Sequence, residues 1–234
     1  MTTEQTNRGI GRALRAAFPH TIPVFAGFII LGIAYGVLMR TKGYGVIWAM
    51  LMSALCFCGS MQFVAITLLT AAFDPLQAFL MSLMVNARHL FYGISMLGRY
   101  RGLGWARPLL IFGLCDETFS IAYSAEPPED VEPGAFYLAV TLLDYAYWVG
   151  GTLMGSVAGG FLRFDTTGLD FVLTALFVVL FVEQFRKPEN RTAAIAGALA
   201  TAACLVVFGA GSFVIPSMLL ILAILTAGRK RIWH

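Results

Sequence analysis

The sequence predicts an all-α, polytopic membrane protein of seven or eight transmembrane segments, one of them broken or re-entrant near Gly59. Three observations predict it. The composition is 59% hydrophobic and 12% charged over 234 residues, far from the half-apolar, quarter-charged balance of soluble domains. The apolar residues fall into runs of roughly 17 to 28, each long enough to cross a hydrocarbon core as a helix. These runs do not alternate polar with apolar positions as the short strands of a barrel would, which leaves helices to satisfy the backbone in lipid.

Residues Met1 to Pro19 are polar and arginine-bearing, and the first apolar run is too long for a signal-peptide core. The chain is therefore expected to insert whole, as one integral membrane domain over residues 1–234. Within residues 1–20, the stretch Asn7 to His20 puts Arg8, Arg12 and Arg15 on a face opposite Ile10, Leu14 and Phe18. That pattern predicts an amphipathic helix lying on the anionic lipid bilayer. The first span, Thr21 to Met39, carries Gly32 and Gly36, a small-xxx-small pair suited to close helix contact.

The run Gly45 to Phe73 is too long for one perpendicular span and is interrupted near its centre at Cys58-Gly59-Ser60. It reads as a broken or re-entrant helix. Gln77 to Leu97 and Pro108 to Ser124 follow as spans, separated by the basic loop Gly98 to Arg107. After the acidic loop Glu126 to Pro133, a long span from Gly134 to Gly160 ends in Gly151, Gly155 and Gly159, a glycine zipper that reads as a packing face. The remaining runs are Leu169 to Phe185, with Glu183 and Gln184 at its interface end, then Thr192 to Val207 and Ser212 to Ala227.

The net charge is +3, but the basic residues sit between apolar runs and read as topology signals, not as a nucleic-acid surface. With a re-entrant Gly45 to Phe73, the N-terminal tail and the Arg99 loop share a side, which favours a cytoplasmic N-terminus in a multi-pass protein of the cell's inner (plasma) membrane. Cys56, Cys58, Cys115 and Cys204 all lie inside apolar runs, where a thiol behaves as a small hydrophobe. No disulfide, metal or cofactor is expected.

The informative residues are the expensive ones, because a charge at the centre of a spanning helix costs roughly 2.5 to 3.5 kcal/mol. Four segments place their polar interruption at similar depth: Gly59, Ser60 and Gln62; Asn86, Arg88, His89 and Tyr92; Asp116 and Glu117; and Asp144. Pairing Arg88 with Asp116 or Glu117 would remove most of the cost of burying either. Asn86, His89 and Tyr92 recur at three-residue spacing and Arg88 lies four before Tyr92, so these side chains can share an inward face. Adjacent Asp116 and Glu117 point about 100° apart, so one can bind the arginine while the other faces a pore.

A half-helix starting at Gly59-Ser60 would present free amides and a positive dipole end at the midplane, an arrangement that suits a substrate carboxylate. Gly59 as cap with Gln62 three residues on forms an incomplete capping box. His89 titrates in a range suited to proton relay as well as to a satisfied interior role. These groups point to a carrier whose substrate- or proton-binding residues are Gly59, Ser60, Gln62, Asn86, Arg88, His89, Tyr92, Asp116, Glu117 and Asp144. A membrane enzyme is disfavoured, since the sequence has no His-Glu-x-x-His zinc motif and no Gly-x-Ser-x-Gly turn. A channel or carrier subunit for another solute, with purely structural midplane charges, stays open.

Three stretches together carry a family resemblance: Gly59-Ser60-Met61-Gln62-Phe63, Asn86-Ala87-Arg88-His89-Leu90-Phe91-Tyr92-Gly93, and Gly113-Leu114-Cys115-Asp116-Glu117-Thr118-Phe119. The chain resembles the AzlC family, the large subunit of branched-chain amino acid exporters. The resemblance implies export of leucine, isoleucine, valine and methionine, coupling to the proton gradient, and a small AzlD-type membrane subunit as partner. On this reading the substrate carboxylate meets Arg88 or the half-helix amides, and the ammonium meets Asp116, Glu117 or Asp144. Phe63, Met84, Phe91 or Phe119 would then hold the branched side chain.

Overall fold

The computed structural model describes residues 3–72, 74–161, 175, 178, 181–182, 185–186, 188–209 and 213–232, and its regular secondary structure is helical throughout. Two compact units divide the chain, Met1–Asp165 and Thr166–His234.

In the first unit, α1 (Thr3–Thr41) runs unbroken for 39 residues despite Pro19 and Pro23 in its interior. The residues expected to form a separate interfacial helix are its first turns, continuous with the span. Neither of the two faces read from sequence is the buried one. Arg12, Arg15, Ile10, Leu14 and Phe18 are exposed, while the small residues Ala13 and Ala17 between them pack into the cluster around Met96, Tyr100, Leu110 and Phe136.

The expected break is present: α2 (Val46–Cys56) and α3 (Gly59–Thr70) are separate helices. Phe57 turns the chain between them in the left-handed region, at φ 37 and ψ 49. A bulky residue held there costs about 1–2 kcal/mol, and aromatic packing offsets it: the Phe57 ring lies 5.1 Å from Tyr145, 6.4 Å from Phe28 and 6.5 Å from Phe112. Glycine follows at position 59 for a different reason, since a Cβ there would lie 3.0 Å from the Trp148 ring.

Helix α4 (Pro75–Met96) starts on Asp74, whose carboxylate accepts from the amides of Leu76 and Gln77 at 3.0 Å, with Pro75 at the first position. The stretch Pro108 to Ser124, expected as one span, is instead a second broken helix. It comprises α5 (Ala106–Phe112) and α6 (Asp116–Ser124). Arg99, expected only as a topology signal, donates to the carbonyls of Ala122 and Ala125 and to the Tyr137 hydroxyl, so it closes the C-terminal end of α6.

Helix α7 (Pro133–Phe161) begins where the Glu132 carboxylate accepts from the amides of Gly134 and Ala135, so one residue of the acidic loop is a cap and not simply solvated. The two glycine faces read separately from the sequence pack against each other. A Cβ on Gly32 would lie 2.8 Å from the Trp148 carbonyl oxygen, and one on Gly151 would lie 2.8 Å from that of Ile29. Backbone thus meets backbone along α1 and α7, a contact open only to glycine.

In the second unit, α8 (Arg191–Phe208) packs on α9 (Val214–Ile232). The expected span Leu169 to Phe185 lies largely outside the described residues, as do Glu183 and Gln184. Two described helices are long and apolar enough to cross a membrane by themselves, Gly9–Thr41 and Arg191–Phe208; Val46–Cys56, Gly59–Thr70 and Leu219–Gly228 are shorter apolar helices. The seven or eight spans expected from apolar runs are therefore not reproduced by helix length and apolarity alone. Two breaks split the runs, and polar residues dilute α4 and α7.

Candidate functional site

The two helix breaks of the first unit converge on the polar face of α4. Arg88 reaches from α4 to both: one guanidinium nitrogen lies 2.6 Å from Asp116 Oδ2, and another donates to Ser60 Oγ. Tyr92, one turn further along α4, donates to Asp116 Oδ1 at 2.5 Å and stacks on Phe119 with ring centroids 4.5 Å apart. Of the two adjacent acids, the arginine takes Asp116. The pair is not sealed, since its side chains are 36% and 34% exposed.

Local chemistry explains why each half-helix begins where it does. Asp116 and Glu117 occupy the first turn of α6, where negative charge is favoured by the helix dipole. Thr118 closes a capping box, its hydroxyl accepting from the Cys115 amide at 2.8 Å and its own amide donating to the Cys115 thiol, and the same hydroxyl donates to the Gly113 carbonyl at 2.8 Å. The apolar residues on either side of Gly113 to Thr118 made the stretch read as one continuous span.

At α3 the balance is opposite. Cys58, not Gly59, is the N-cap, and it makes no side-chain cap bond. Its thiol instead donates to Asn86 Oδ1 at 2.9 Å, tying the break to α4. The positive end of α3 and the guanidinium of Arg88 therefore meet around Ser60, an arrangement that favours an anion between them.

Gln62 and Asp144 lie away from the Arg88 pair, and His89 bonds within its own helix. Gln62 does not close a capping box. Its amide donates to Ser53 Oγ at 2.9 Å and accepts from Trp148 Nε1 at 2.8 Å, with Ser53 bonded onward to Thr152 at 2.8 Å. This buried network fastens both halves of the broken helix to α7, helped by the Tyr145 hydroxyl donating to the Ala54 carbonyl at 3.0 Å. His89 Nδ1 lies 3.2 Å from the Asn86 carbonyl of its own helix and its ring meets the edge of Tyr92. Asp144 is fully buried in α7, and neither of its carboxylate oxygens has a hydrogen-bond partner.

A cavity of about 550 Å³ adjoins this cluster. Cys58, Asn86, His89, Tyr100 and Arg107 are its polar lining residues, and the rest of its wall is apolar, including Ile94, Leu97, Ile111 and Leu114. Arg88 and Asp116 border it through these neighbours and do not line it. None of Phe63, Met84, Phe91 and Phe119, expected for a side-chain pocket, lines this cavity: Phe63 is buried against Tyr35, Phe91 is 66% exposed and Phe119 stacks on Tyr92. Among the described residues, no three His, Cys, Asp or Glu side chains converge as a metal site requires.

Comparison with known proteins gives the chain's family. The model of the family described as AzlC protein matches residues 23–162, which includes both breaks, α4 and all of α7. The chain is 52% identical to the branched-chain amino acid transport protein AzlC of Bacillus subtilis over 94% of its own length and 87% of that protein. It is 38% identical to an uncharacterized membrane protein of Helicobacter pylori strain J99, covering 94% of this chain and 97% of that one. It is 26% identical to the inner membrane protein YgaZ of Escherichia coli over 77% of each. No solved structure matches.

Proposed function

Because the chain belongs to the AzlC family, we propose that it is a membrane transporter of branched-chain amino acids, working as an exporter coupled to the proton gradient and paired with a small AzlD-type membrane subunit. It sits in the cell's inner membrane as a single integral domain. It is a carrier and not an enzyme.

The observation that carries this reading is the partly exposed Arg88–Asp116 pair set between two helix breaks. An α-amino acid is a zwitterion and can replace each half of that pair. Its carboxylate takes Arg88 and the first amides of α3, and its ammonium takes Asp116. Every charge keeps a partner through the exchange, so substrate enters a low-dielectric site without stranding a buried ion. The adjoining apolar cavity falls within the usual size range of ligand pockets, roughly 300–1,000 Å³, and would receive the branched side chain.

A second reading has its own support, since Arg88 and Asp116 already hold partners and fasten α4 to both breaks. On that reading the charges are structural and the protein is a channel or carrier subunit for another small solute. Leucine flux into vesicles containing the full chain, with and without the small subunit, separates the two. Saturable, gradient-dependent flux that competes with isoleucine and valine is expected, and no saturable flux in either preparation would overturn the proposal.

A further inference from the structure

Asp144 stands apart from the Arg88 network and is the most exceptional polar group in the first unit. Its side chain is 0% exposed and neither oxygen is hydrogen-bonded. Its polar neighbours on α7 are committed elsewhere: Thr141 to the Tyr137 carbonyl, Tyr145 to the Ala54 carbonyl, Tyr147 to Thr21 and Trp148 to Gln62. A structural role would need at least one of these bonds, and an alanine or leucine would fill the space more cheaply.

The groups around it limit what it can hold. Helix α6, which packs on α7, begins with the two acids Asp116 and Glu117. Helix α5 meets α7 where Gly113 abuts Thr141, and α1 and α2 bring the uncharged Thr21, Phe28 and Ser53 to this helix. The basic side chains that reach α7 do so at Tyr137, Phe136 and Gly159–Gly160, through Arg99, His20 and Arg40, each at least seven positions from Asp144. A metal cation needs several oxygen ligands, and the hydroxyls nearby are engaged. A proton needs only the carboxylate itself, and a buried carboxylate with no partner is far costlier than the neutral acid. Asp116 and Glu117 are consecutive in the first turn of α6, and α6 packs on the helix that carries Asp144, so the three carboxyl groups lie on two packed helices.

We propose that Asp144 is the proton-carrying residue of this transporter, holding a proton in the packing seen here and passing it to the Glu117 carboxylate when α6 moves against α7. The assignment rests on the transport reading. In the step the Asp144 O–H bond breaks and an O–H bond forms on Glu117. Asp144 becomes the carboxylate, Glu117 the acid, and no oxidant or reductant is involved. The substrate site at Arg88 and Asp116 senses the change because Asp116 and Glu117 are consecutive residues of one helix turn.

The test compares two modes of leucine movement in vesicles carrying the full chain and the small subunit. Gradient-driven flux requires proton movement, whereas leucine–leucine exchange at equal pH does not. Asp144→Asn is expected to lose gradient-driven flux at least tenfold while exchange stays within about twofold of the wild type, and Asp144→Glu is expected to recover part of the loss. Wild-type gradient-driven flux in Asp144→Asn overturns the proposal, as does equal loss of both modes in folded protein. Absence of any leucine flux in the wild type overturns the transport reading itself and this assignment with it. If Asp144→Asn does not fold, infrared difference spectra of the wild type decide: the protonated-carboxyl band is expected to change on leucine addition, and an unchanged band overturns the proposal.

Discussion

Arg88 of α4 and Asp116, the first residue of α6, meet at 2.6 Å, and the same arginine donates to Ser60 in the first turn of α3. One side chain therefore ties together the two places where a spanning helix is interrupted. Removing either member leaves the other charge without its partner at a cost of about 2–5 kcal/mol. Arg88→Ala and Asp116→Asn are each expected to lower leucine flux by on the order of a hundredfold. The double variant should regain thermal stability over the singles without regaining flux. Recovery of flux together with stability would assign the pair a purely structural role.

Tyr92 adds a hydrogen bond to the second carboxylate oxygen and an aromatic stack on Phe119. Tyr92→Phe keeps the stack and removes the bond. The half-saturation concentration for leucine should rise about tenfold, equivalent to ~1.4 kcal/mol, with little change in melting temperature. Flux measured against leucine concentration checks this.

Gln62 bonds Ser53 and Trp148 away from the Arg88 cluster. Gln62→Leu strands buried polar partners and should destabilise by about 1–3 kcal/mol. Protein that remains folded should show an unchanged half-saturation concentration for leucine. A raised value without loss of stability would return Gln62 to the substrate site.

The α1–α7 contact depends on the absence of side chains at Gly32, Gly36, Gly151 and Gly155. Gly32→Val or Gly151→Val should sharply reduce the yield of monodisperse protein after detergent extraction, because a Cβ would press on backbone carbonyls at 2.8 Å. Gly150→Ala, where nothing lies within 4 Å of the added carbon, should behave as wild type in the same chromatographic assay.

Thr118 holds the start of α6 through the Cys115 amide and the Gly113 carbonyl. Thr118→Val removes the cap, with an expected loss of about 1 kcal/mol. Thr118→Ser should restore most of it in a thermal-shift measurement.

The polar residues of the first unit stood out in the sequence for one reason: charged side chains are too costly in apolar helices to occur there without a role. That cost marked Arg88, Asp116 and Asp144 before any fold was known, just as the excess length and glycine of Gly45 to Phe73 marked the first break. The paired glycines of α1 and α7 were legible as two faces that accept close contact. Their pairing with each other was not, because a small-residue stripe has no address.

Tertiary structure alone decided the rest. The second break at Gly113–Cys115 is hidden in an apolar run, and it exists because Gly113 packs against Thr141 and Thr118 supplies the cap. Arg88 could have taken either acid, and the packing of α4 on α6 chose Asp116. Gln62 lies one turn into a half-helix, yet it bonds Trp148, 86 positions later. Phe57 takes a left-handed turn that local preference opposes, because rings from α1, α5 and α7 surround it. The energy of placing a residue in lipid is local and can be read from the chain, whereas the choice of partner is made between helices far apart in sequence, where only packing decides.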